Sequence, residues 1–136
     1  MRPIFICALA ALVLLPLTAQ ADNWDRTDAA LGAAALTATV IDWSQTRYVA
    51  KNPCPHAGGG SACTDPYREA GLARHFIGEY PTVGKVDRYF AGVVVVGGLV
   101  AHALPSDYRK VFLGLITVME INVTTQNRRI GLRMEF

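Results

Sequence analysis

The sequence predicts an all-α fold: a three-helix membrane bundle behind an N-terminal signal peptide, with a long loop after the first helix and a short extended tail. Three observations predict it. Apolar residues make up 51% of the 136 residues and charged residues 18%, a balance that excludes a disordered chain. The apolar stretches bounded by prolines are too long for ordinary strands. The first residues read as an export signal. A formal charge of +2 gives no electrostatic argument for nucleic acid. No repeat of solenoid period is visible, and the one low-complexity tract is Gly58-Gly59-Gly60.

Residues 1–21 carry the export signal. Arg2 supplies the positive start, 4–17 the apolar core, and Ala19 and Ala21 the small residues before a cleavage site, so Asp22 begins the mature chain. The core is shorter than the roughly 20 residues of a comfortable span. Cys7 lies inside it without the context of a lipoprotein site. An uncleaved signal anchor is the alternative.

The first mature helix is expected over about 28–50, an Ala- and Leu-rich stretch. Thr27 or Asp28 would cap it, and Lys51-Asn52-Pro53 would end it, because the residue before proline avoids the α region. A loop over 51–81 follows. The second helix is expected over about 82–104, between Pro81 and Pro105. The third runs over about 106–127 with Ser106 as N-cap, and the short connection makes these two antiparallel neighbours. In the tail, Ile130, Leu132, Met134 and Phe136 alternate with Gly131, Arg133 and Glu135. That is strand periodicity. It resembles the terminal signal of outer-membrane barrels, although a barrel needs at least about eight alternating strands. The simpler expectation is that Gly131 ends the third helix and the tail is a short strand or extended arm.

The second helix is the best span. Asp42 interrupts the first, and Glu120 and Asn122 the third; a central carboxylate costs about 2.5–3.5 kcal/mol on insertion scales. Aromatic residues at segment ends (Trp24, Trp43, Tyr48, Tyr89, Phe90, Tyr108, Phe112) suit an interfacial belt. The small pairs Ala30/Ala34 and Gly97/Ala101 suit close helix contact. A soluble Ala-rich bundle is the rival.

Charge suggests an orientation. Arg47, Lys51, Arg68, Arg74, Lys85 and Arg88 flank or fill the long loop, and Arg128, Arg129 and Arg133 the tail. The last turn carries only Arg109 and Lys110. The positive-inside rule puts loop and tail in the cytoplasm. Cys54 and Cys63, the mature cysteines, argue the other way. In an exported chain such a pair reads as a disulfide, stabilising by about 2–3 kcal/mol. Both cannot hold. A metal set of Cys54, His56, Cys63 and His75 fits no common zinc spacing.

Depth arithmetic gives a second candidate site. Asp42 stands 14 residues after Asp28, and Glu120 stands 14 after Ser106, about 21 Å along each of two parallel helices. Arg88 on the second helix comes to a similar level. The expectation is a buried polar cluster of Asp42, Gln45, Arg88 and Glu120, with Thr46, Thr117, Thr124 and Asn127 on the same faces. It would either fix helix register or serve an intramembrane proton or catalytic role. Elsewhere, Gly84-Lys85 lacks the rest of a phosphate loop, His102 suits packing or an interface, and Asn122-Val123-Thr124 is a sequon inside a helix. No nucleophile elbow is visible. Neither an enzyme nor a cofactor is expected.

Several strings carry a resemblance: Trp24-Asp25-Arg26-Thr27-Asp28, Asp42-Trp43-Ser44-Gln45-Thr46-Arg47, Gly78-Glu79-Tyr80-Pro81-Thr82-Val83-Gly84-Lys85-Val86, Tyr89-Phe90, Leu104-Pro105 and Ile130-Gly131-Leu132. Together they resemble a group of small uncharacterised exported or membrane proteins of proteobacteria and their phages. In that group an Asn-Pro pair precedes the Leu-Gly before the second helix; here Arg74-His75-Phe76-Ile77-Gly78 stands instead. The resemblance implies a helical envelope protein and assigns no activity. The sequence therefore points to a structural or accessory protein of the inner membrane, with lipid, a second copy or another envelope protein as partner. A soluble periplasmic binding module stapled by Cys54–Cys63 is the alternative.

Overall fold

The computed structural model describes residues 23–54, 67–69 and 73–136. The export signal and Cys63 lie outside the described residues. Four helices follow one another: α1 (Arg26–Lys51), α2 (Arg74–Ile77), α3 (Val83–Ala103) and α4 (Ser106–Arg129). The three long ones match the expected helices to within two residues at each end. The short α2 was not foreseen; it falls where only loop was expected.

Capping decides the helix ends. Asp25, not Thr27 or Asp28, caps α1. The Asp28 N–H donates to Asp25 Oδ1 at 2.8 Å, and the Asp25 N–H donates to Asp28 Oδ2 at 3.2 Å. Two carboxylates three residues apart can exchange bonds in this way, and a lone Thr27 cannot. Lys110 Nζ stands 2.9 Å from Asp25 Oδ2. That bond, with the Asp28 N–H, holds the Asp25 carboxyl below its ordinary value. Pro105 takes the N-cap position expected of Ser106, which becomes the first helical residue. At the far end of α4, Gly131 adopts φ 88°. Its N–H bonds Arg128 O, and Leu132 N–H reaches back to Asn127 O at 3.0 Å. This is a Schellman close, with Gly where a side chain would be strained.

The tail beyond Gly131 pairs with no strand among the described residues. It lies as an arm along α1, with Glu135 N–H on Ser44 O at 3.1 Å, Lys51 Nζ on Glu135 at 2.8 Å, and Phe136 edge-on to Trp43 at 6.4 Å.

α1 is the central helix; α3 and α4 each pack against it more than against one another. α4 runs parallel to α1, since Arg109 near its start meets Asp28 and Thr124 near its end meets Gln45. α3 runs antiparallel. Ala35, Ala101 and Leu113 form one small core, with Leu31, Phe112 and Ile116 around it. Ile77, Val86 and Phe90 form another, which binds α2 to α3 beneath Trp43 and Tyr89. The buried alanines among the described residues are Ala35, Ala38 and Ala101, whereas the expected pair Ala30/Ala34 faces outward.

One side chain joins all three long helices. Arg109 is fully buried. Its Nη1 meets Asp28 Oδ2 at 2.9 Å, Nε donates to Ala101 O at 2.9 Å, and Nη2 donates to Leu104 O at 2.9 Å. Its guanidinium lies 5.1 Å from the Trp24 ring centre. The carbonyls it takes belong to the last turn of α3, where helical partners run out. The guanidinium caps the negative end of the α3 dipole, and the Asp28 carboxylate sits at the positive end of α1.

Asp28→Ala should therefore cost about 3–5 kcal/mol, the range for stranding one member of a buried pair. Asp28→Leu combined with Arg109→Met should recover most of it. Thermal unfolding measures both, and a wild-type melting point for Asp28→Ala would contradict the assignment.

Candidate functional site

Of the expected polar cluster, Asp42, Gln45 and Glu120 lie along the contact of α1 with α4, Gln45 buried and the two carboxylates half-buried, and Arg88 does not join them. On α1, Asp42 Oδ1 accepts a bond from Asn127 Nδ2 of α4 at 3.1 Å. One turn on, buried Gln45 donates from Nε2 to Thr124 O at 3.3 Å. Gln45 Oε1 and Glu120 Oε2 are buried and lack a hydrogen-bond partner among the described residues. Glu120 and Glu69 lie within electrostatic reach of Asp42, and Tyr89 of α3 faces the same charges. Thr117 and Thr124 turn their hydroxyls onto Leu113 O and Ile121 O of their own helix, so Thr124 serves the cluster through its backbone carbonyl alone. Thr46 is buried on the α1 side.

Arg88 is the correction. The axial level was right and the azimuth wrong. Each helical residue turns the side chain by about 100°, and the neighbour Asp87 is the one that faces α1. Asp87 Oδ1 accepts from Trp43 Nε1 at 2.8 Å, and Arg47 Nη1 meets it at 3.0 Å while lying 5.0 Å over the Trp43 ring. That rotation carries Arg88 to the surface, beside Phe76, Ile77, Lys85 and Tyr89. A signal for the true pairing was present. Trp43 and Arg47 lie four apart on one face of α1 and both offer N–H donors, which asks for a carboxylate opposite.

Cys54 follows α1, but Cys63 and His56 lie outside the described residues, so the disulfide and the metal alternative stay proposals. Among the described residues no group of His, Cys, Asp and Glu side chains could hold a metal ion. The Asp42 layer thus supplies two carboxylates, two amides and a phenol. It can fix the register of α1 against α4. No family model, curated protein or solved structure matches the chain.

Substitutions separate Asp42's charge from its bond. Asp42→Asn keeps an acceptor for Asn127 and removes a charge opposed by Glu120 and Glu69. It should leave the melting point unchanged or raised. Asn127→Leu orphans the Asp42 oxygen and should cost about 1–3 kcal/mol. Equal losses from the two would show that the charge itself holds the helices together.

Proposed function

We propose that the protein is a small helical membrane protein of the cell envelope, with α1, α3 and α4 crossing the inner membrane in a structural or accessory role. The observation that carries this is where its apolar side chains point. On the outer faces of α3 and α4, Val96, Leu99, Val111, Leu115 and Val118 are each about 60% exposed or more. Exposed apolar patches on soluble monomers seldom exceed a few hundred Å². α3 is the one helix among the described residues long and apolar enough to cross a membrane, and only 17% of its apolar window is buried. A soluble core helix would be mostly buried.

α1 and α4 are too polar to qualify alone, yet their polar groups turn inward. Asp28, Thr39, Gln45, Thr46 and Arg109 are all buried. Intramembrane polar groups pair in this way, away from lipid. The belt between the Arg109 and Asp42 levels is about 21 Å tall, short of a hydrocarbon core of about 30 Å. Aromatic residues extend it: Trp24 and Tyr108 at one end, Phe76, Tyr80 and Phe136 at the other, all exposed. Local thinning accommodates the rest.

Charge sharpens the orientation. Arg109 and Lys110 are both neutralised, by Asp28 and Asp25. Arg26 is the cation at that end without a salt-bridge partner among the described residues, whereas at the other end Lys85, Arg88, Arg128, Arg129 and Arg133 all lack one, a surplus of basic residues that favours placing that end in the cytoplasm. The resemblance to small envelope proteins agrees with this location. The alternative, a soluble periplasmic binding module, has the Cys54–Cys63 pair in its favour, because a disulfide needs an oxidising compartment.

An alkaline-carbonate wash of membranes from cells expressing a C-terminal alkaline phosphatase fusion tests both. The fusion should stay in the pellet and show no phosphatase activity. A released, active fusion would favour the periplasmic module.

A further inference from the structure

The displaced Arg88 opens onto something specific. With Lys85 it lines a surface hollow of about 330 Å³ whose other walls are Phe76, Ile77 and Tyr89. Ile77 is 2% exposed and forms the floor, while Phe76 is 75% exposed and stands at the rim. The Phe76 and Tyr89 rings lie 5.6 Å apart. Among the described residues no carboxylate lines the hollow. The acidic residues nearest in sequence are engaged elsewhere, Asp87 with Arg47 and Glu79 with Arg68 and Arg74. The first turn of α3 likewise holds no acidic residue, so its positive dipole end adds to the two cations.

The place matters as much as the charge. Lys85 and Arg88 sit on the first two turns of α3, directly before the stretch 89–101 that lacks charged residues. In a membrane this is headgroup depth. A soluble anion would need only the cations; an exposed Phe76 beside them offers a surface for the first carbons of an acyl chain.

We propose that this hollow binds the phosphate of an anionic phospholipid, with Lys85 and Arg88 on the phosphate and Phe76 and Tyr89 against the glycerol and upper acyl region. The proposal rests on the membrane reading above. It differs from the general cation surplus at this end in being local: Arg128 and Arg129 carry equal charge and do not line the hollow.

Native mass spectrometry of the full chain in detergent tests it, with phosphatidylglycerol against phosphatidylcholine of the same chains. The wild type should retain one phosphatidylglycerol preferentially. Lys85→Gln with Arg88→Gln should weaken that preference by about 30-fold, the effect of two interfacial cations. Arg128→Gln with Arg129→Gln should leave it intact. Both variants alter exposed side chains, and an unchanged melting point confirms folding. Equal retention of the two lipids by the wild type would overturn the proposal, as would an equal loss in the two variants. Displacement of the lipid by millimolar inorganic phosphate would also overturn it, making free phosphate the ligand. Carbonate extraction of the same protein separates the two levels. Release from the pellet refutes the membrane reading, whereas retention without headgroup preference refutes the lipid site alone.

Discussion

A guanidinium with no exposed surface must find an acceptor for its donors, and that requirement organises one end of this molecule. Arg109 satisfies it with a carboxylate from α1 and two carbonyls from the end of α3. Because the fork is planar and rigid, the three acceptors must be held in one geometry. The start of α1, the end of α3 and the start of α4 therefore cannot slide past each other. Asp28 serves twice, as the reciprocal partner of the Asp25 cap and as counter-ion. Such a pair contributes little net stability over an apolar pair of the same shape, but breaking it is costly. Its role is to set register.

Small side chains then let the rest follow. Ala35, Ala38 and Ala101 bring α3 and α4 close to α1, and the second polar layer around Asp42 and Asn127 repeats the register lock 14 residues further along. Between the two layers the bundle has little interior and much apolar exterior. Hydrophobic burial is the main drive for folding in water, and the proposed membrane setting would remove the penalty of those exposed apolar faces. Packing by small residues and buried hydrogen bonds is how helices associate there.

The long helices could be read from proline boundaries, Ala and Leu content, and unbroken apolar runs, and Gly131 was visible as the end of α4. The level of Asp42 and Glu120 followed from 1.5 Å per residue. Azimuth did not follow, because a one-residue choice between Asp87 and Arg88 turns the face by about 100°, and nothing local to α3 decides it. The Asp28–Arg109 pair was missed for a related reason. Both residues stand at helix starts, where charged side chains are ordinarily solvated. Only the three-helix arrangement buries them. The four residues of α2 have too short a period to register at all.

The account depends on the outer faces of α3 and α4 meeting lipid. Single nitroxide labels at Val96 and Val118, with a third at exposed Arg128, measured in phosphatidylglycerol-containing vesicles, test that directly. Labels at Val96 and Val118 should relax faster with oxygen than with a water-soluble nickel chelate, and the label at Arg128 should show the reverse. Preferential access of the nickel chelate to Val96 and Val118 would contradict the account and return the protein to water.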